Sequence, residues 1–257
     1  MTAITVKSGD PLLEFLLRMG DNSLVLGHRL SEWCGHTPVL EEDIAIANVS
    51  LDLVGQTQLW LGFAGEVEGK GHSADNLAYL RDAGGFRNFL LVEQPNGSYG
   101  QTLMRQFLFD AWHYYMLRRL EHSSDRRIAE IAEKAVKEVT YHLERSVDLV
   151  IRLGDGTQES HALMQEALEL LWPYTGQMFD ADGFDEVAVK AGIMPDPAEI
   201  RPDWDAQVTR TLRAATLEIP QEAFSHKVAA RSIHTEHLGY ILADMQFLQR
   251  AYPGATW

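Results

Sequence analysis

The sequence carries one cysteine, Cys34, in 257 residues, which excludes an intrachain disulfide. It opens Met1-Thr2-Ala3-Ile4 without the basic and apolar blocks of a secretory leader, so a cytoplasmic protein is expected. No apolar run approaches the roughly 20 residues that a membrane crossing requires. Even "FLLVEQPNG" meets Glu93 within a few residues. Positive charge is scarce: 22 basic side chains stand against 37 acidic ones, a formal charge of −15. That excess repels phosphate backbones and anionic lipid surfaces, so neither nucleic acid nor a membrane is an expected partner. The basic pairs Arg118-Arg119 and Arg126-Arg127 lie next to acids and read as solvated helix surface. Strand-like alternation, a glycine-rich phosphate loop, internal repeats, low-complexity tracts and a serine in a nucleophile elbow are all missing, which removes the common signatures of nucleotide binding and acyl transfer. Cys34, at a Trp-Cys-Gly helix end, is expected to be a buried packing residue.

What the sequence does have is helical periodicity. Leu12, Leu13, Leu16, Leu17, Leu24, Leu26, Leu30 and Trp33 predict a helix over about 10–34, ended by Gly35. Thr37 as cap and Pro38 in the first turn, with Glu41 and Glu42 beside the positive end, open a second helix to about 69. A third is predicted over about 99–122. A fourth starts at Asp125 as cap and steps through Ile128, Ile131, Ala135, Val139, Leu143 and Val147 to Gly154. "FRNFLLVEQ" predicts a short helix between the second and third. Further helices are predicted over about 157–171, 185–191, 200–217 and 235–251, with "FDADGFD" as a loop. The expectation is an all-α fold. One domain over 1–257 is expected, a core bundle of about 10–154 with appended helices over about 155–257, because no polar linker separates the parts.

Polar groups stranded on apolar helix faces are the informative ones, since burial must be compensated by hydrogen bonds, pairing or a metal. The first helix offers Asp21 and His28, the second Asp52, the third Asp110 and His113, and the fourth Glu138 and His142. Di-iron bundles take one Glu from each of two helices and Glu-x-x-His from each of the other two. If the second and fourth helices hold the paired motifs, this chain has Asp52-x-x-Gly55 and Glu138-x-x-Tyr141, and both histidine slots are wrong. Asp110-x-x-His113 has the spacing but a shorter acid. In "KEVTYH" the histidine, His142, arrives one place late. A ligand at i+4 is geometrically workable on a helix, yet only three carboxylates and two misplaced histidines are on hand. No metal site is expected. Asp52, Asp110, His113, Glu138 and His142 are the candidates for a vestigial one, forming a hydrogen-bonded polar cluster in the core. His234, Glu236 and His237 in "HTEHLG" look metal-like too, but neighbours on a helix point about 100° apart, and Thr235 or Ser232 there reads as a helix cap.

The chain resembles the C proteins of the bacterial phenylacetyl-CoA epoxidase complex. The stretches that carry the likeness are "RMGDNSLVLGHRLSEWCGHTPVLEEDIAIANVSLDLVGQ" (18–56), "NFLLVEQPNGSYGQTLMRQFLFDAWH" (88–113), "KAVKEVTYHLERS" (134–146), "MFDAD" (178–182) and "HTEHLGYILADMQFLQR" (234–250). The resemblance implies a ferritin-like helical fold and a structural subunit without catalytic residues or cofactor of its own. It implies as partners a catalytic A subunit with the di-iron centre, a small B subunit, and a reductase carrying FAD and an iron-sulfur cluster in an NADPH- and O2-dependent complex. A homodimer is the alternative assembly for the isolated chain. Trp33, Trp60, Trp112 and Tyr115 are the candidate interface aromatics. Against this stand two enzymatic readings, a self-sufficient di-iron oxidase or hydroxylase using the five candidate residues, and an iron-storage protein.

Overall fold

The computed structural model describes residues 3–6, 9–221, 225–226 and 230–255. Among the described residues are ten α-helices: α1 (Pro11–Ser31), α2 (Leu40–Glu68), α3 (Ala74–Tyr79), α4 (Leu90–Glu93), α5 (Tyr99–Leu120), α6 (Arg126–Gly154), α7 (Gln158–Leu171), α8 (Gly183–Lys190), α9 (Pro197–Ala214) and α10 (Glu236–Ala251). The only extended pairing among them is an isolated bridge between Ile4 and Arg81. The fold is all-α. By its contacts the chain divides into two compact units, Met1–Glu93 with Val228–Trp257, and Gln94–Lys227.

The first unit is built on the antiparallel pair α1 and α2. Asp10 caps α1, accepting from the Leu12 N–H at 2.9 Å, and Pro11 occupies the first turn, where no N–H is needed. The helices pack closely because α1 is small at the contact. A Cβ at Gly20 would stand 2.5 Å from Leu61 Cδ2, and the Ser50 hydroxyl donates to the Gly27 carbonyl at 2.8 Å. The predicted cap of α2 is corrected: the helix begins at Leu40 after Val39, with no side-chain cap bond. Thr37 instead donates its hydroxyl to Asp43 at 2.9 Å, and with the Gly35 N–H it holds that carboxyl below the usual range. Gly69, in the left-handed conformation at φ 69°, ends α2. The sequence reading missed α3, whose Ser73 and Asn76 cap each other's backbone N–H groups. The C-terminal α10 returns to this unit, and the Gln246 amide donates to the Ala78 and Arg81 carbonyls at 3.0 and 2.9 Å.

The second unit is built on the antiparallel pair α5 and α6. Ser98 and Asp125 cap them, the latter as predicted. The inward face of α6 carries Ile128, Ile131, Ala135, Val139, Leu143, Ser146 and Val150, all buried at three- or four-residue steps. Both α7 and α9 pack on α5. Trp204 of α9 is buried and donates its indole N–H to the Leu108 carbonyl at 2.9 Å, with the Phe179 ring at 5.2 Å and the Trp172 ring at 5.8 Å.

Candidate functional site: a buried polar cluster between α5 and α6

The α5–α6 contact holds a buried acid near its middle. There Asp110 of α5, fully buried, accepts from the Gln106 amide at 2.6 Å on Oδ1 and from the Ser146 hydroxyl at 3.0 Å on Oδ2. Gln106 and Asp110 meet because they are one helical turn apart; Ser146 comes from the facing helix. His142, one turn before Ser146 on α6, is also buried and interacts electrostatically with Asp110. Burial pushes the Asp110 carboxyl up to about 6, against the opposing pull of His142, Ser146, Gln106 and Arg145.

His113, one turn further along α5, is buried in an aromatic nest, with Phe109 at 5.1 Å and Trp112 stacked at 6.1 Å. Neither ring nitrogen has a hydrogen-bond partner among the described residues. Burial, with the His142 imidazole adding to it, pulls its pKa down to about 3, so the ring is neutral at every ordinary pH.

Three of the five sequence candidates, Asp110, His113 and His142, therefore lie in the core of the second unit. Two are corrected. Glu138 is half-buried on α6, not an interior member of the cluster, and Asp52 is half-buried on α2 in the first unit. The supposed histidine slot Tyr141 is 51 % exposed and its neighbour His142 is the buried one, so "KEVTYH" turns its histidine inward and its tyrosine outward.

The residues do not fit a di-iron centre. Both oxygens of Asp110 already accept hydrogen bonds, the second acid of the helix pair is half-buried, and among the described residues no group of three or more acids, histidines or cysteines could hold a metal. Gln106 and Ser146 were invisible to motif reading, although the four-residue step from Gln106 to Asp110 is a helical pair that the sequence displays.

The other stranded polar groups have structural partners in the first unit. Asp21, fully buried, forms an ion pair with the Arg81 guanidinium and accepts the Arg87 backbone N–H at 2.8 Å. Burial pushes its carboxyl up while Arg81 pulls it back. Half-buried His28 has its pKa lowered by burial. His234 reaches Glu93 Oε2 at 3.2 Å and the Phe86 carbonyl at 3.1 Å, while the Thr235 N–H donates to Glu93 Oε1 at 2.7 Å. The "HTEHLG" histidine is thus a pin that holds the start of α10 to α4. Arg29 donates to the Glu93 carbonyl at 2.8 Å, so the conspicuous "LLVEQPNG" begins as a clamp. Cys34 is exposed, which overturns its expected packing role. Of the aromatic candidates, Trp60 and Trp112 are core residues and Trp33 and Tyr115 are half-buried.

An all-α chain with two long antiparallel helix pairs is consistent with the ferritin-like bundle fold. Residues 2–257 match the family described as phenylacetic acid catabolic protein, and the chain belongs to that family. It is 47 % identical over 246 residues to the C subunit of 1,2-phenylacetyl-CoA epoxidase from Escherichia coli (strain K12), an alignment covering 96 % of this chain and 99 % of that relative.

Proposed function

We propose that this chain is the structural C subunit of a multicomponent di-iron monooxygenase that epoxidises the aromatic ring of phenylacetyl-CoA in aerobic phenylacetate catabolism. The observation that carries the reading is the 47 % identity to the bacterial epoxidase's C subunit along nearly the full length of both chains. The geometry supports the non-catalytic half of it. Asp110 is held by an amide and a hydroxyl, and His113 is walled in by aromatic rings, so neither faces a surface from which a substrate could approach. The redox chemistry then belongs to a catalytic A subunit, fed with electrons from NADPH through a reductase with FAD and an iron-sulfur cluster, with a small B subunit in the assembly. This chain brings no cofactor of its own. A rigid helical partner limits how far the catalytic subunit's metal-bearing helices can spread, and stabilises that subunit by mass action when bound. No helix among the described residues is long and apolar enough to cross a membrane; we place the complex in the cytoplasm.

Co-expression with the A subunit tests the reading. The two chains are expected to co-purify, with iron in proportion to the A subunit and turnover only when both are present. About two irons per molecule of this chain when it is grown alone with added iron, with oxidase or ferroxidase activity, would replace it by one of the enzymatic readings. The chain is further proposed to fold as one domain, 1–257. A single coincident denaturation curve by circular dichroism and tryptophan fluorescence is expected, and two separate curves would overturn that.

A further inference from the structure

α2 is apolar on two faces. One, with Ile46, Val49, Leu53, Trp60 and Leu61, is buried. The opposite face carries Leu40 at 69 %, Ile44 at 53 % and Leu51 at 67 % exposure, with half-buried Ala47 between them at helical steps. The same stripe continues through Gly55 and Gly62, where an added Cβ would meet nothing within 4 Å. A helix that is hydrophobic all round is normally buried all round, and a ridge of large aliphatic residues running into open glycines has the relief a second helix packs into.

The charge on α2 says which kind of helix. Its 29 residues include Glu41, Glu42, Asp43, Asp52 and Glu66, with Glu68 at its end already paired to Lys70 and His72, and no lysine or arginine. Two copies of this face would bring like charges together, which disfavours association. A helix with an apolar ridge flanked by lysine or arginine would be complementary. Anionic lipid and nucleic acid are repelled by the same acids.

We propose that the Leu40–Ile44–Leu51 face of α2 is the docking surface for a basic-flanked amphipathic helix of a protein partner, and, resting on the reading above, that this partner is the A subunit. Two substitutions on the full chain test it, with recombinant A subunit as the probe. Because Ile44 and Leu51 are exposed, the I44E/L51E double variant is expected to keep the parent's circular dichroism and melting temperature. Its affinity for the A subunit should fall by roughly 30-fold or more, the scale of losing central interface anchors. E41K/D52K, which leaves the ridge intact, should bind several-fold more weakly at low salt and lose most of the parent's salt dependence. Full-strength binding by both variants would overturn the docking surface while leaving the functional assignment standing. An A subunit that ignores the parent chain would overturn both. A parent chain that dimerises through this face, with I44E/L51E monomeric, would overturn the basic partner in favour of a second copy.

Discussion

Asp21 and Asp110 are both fully buried on long helices, one in each unit, and the molecule treats them in opposite ways. Asp21 is met by the fixed cation of Arg81 and by a backbone N–H from Arg87. An arginine does not give up its proton in a protein, so a neutral Asp21 would strand a buried guanidinium, and the pair stays ionic at neutral pH. Asp110 is met by an amide and a hydroxyl, with no guanidinium or ammonium group among the described residues hydrogen-bonded to it, and it drifts up to about 6. The first arrangement costs a great deal to break and fixes where residues 77–88 lie against α1. The second rests on neutral hydrogen-bond donors, so removing Asp110 strands no hydrogen-bonded guanidinium. A buried carboxyl can therefore be held by neutral donors in one unit and by a fixed cation in the other.

The sharpest way to break the comparison is to remove one cation. Arg81→Ala leaves Asp21 buried without its partner and is expected to cost about 3–5 kcal/mol in urea unfolding. The double change Asp21→Leu with Arg81→Met should recover much of that loss, since no charge is left uncompensated; a single-variant cost under about 1 kcal/mol would mean the pair is not framework.

The second test uses pH. In the folded chain Asp110 titrates near 6 rather than 3.8, so the native state holds this proton more tightly than the unfolded one. The resulting stabilisation is complete below about pH 4 and disappears as the pH rises through 6. Asp110→Asn has no such titration. Its stability relative to the parent should therefore climb by about 2 kcal/mol between pH 4 and 7, and a difference that stays flat would show the Asp110 carboxyl to be unshifted by folding.

A pH dependence of opposite sign is expected at His113, where the change at neutral pH is the smaller of the two. Its two unpartnered ring nitrogens are a burden to the core, and His113→Leu should raise stability by about 1–2 kcal/mol at pH 7. The folded imidazole titrates near 3 instead of 6.5, so its contribution is present above 6.5 and is lost as the pH falls. The advantage of the leucine variant should widen from pH 7 to 4, which thermal melts at the two pH values would reveal.

Smallest of all is Glu138→Ala. Half-buried rather than interior, Glu138 should contribute less than about 1 kcal/mol. A loss of turnover in the reconstituted complex without a change in melting temperature would assign it an active role after all.

The contrast between the two aspartates also separates what one sequence can and cannot reveal. The long helices were legible because α6 repeats buried apolar residues every three or four positions behind an Asp125 cap, and α7 follows Thr157 in the same way. The six-residue α3 was not, since it is too short to display a period and its capping box uses Asn76 where the familiar signal is a glutamate or glutamine. At the site, the stranded polarity of Asp110, His113 and His142 was visible from their apolar neighbours. Partners such as Arg81 for Asp21 and Glu93 for His234, 60 and 141 residues away, leave no local trace.

The turn between α1 and α2 leaves the chain's single thiol exposed, just ahead of Leu40. A nitroxide or a maleimide dye would accordingly react at one defined position of the native polypeptide. Its tumbling rate and quenching would then report crowding at that end of the helix in real time, without any engineered cysteine.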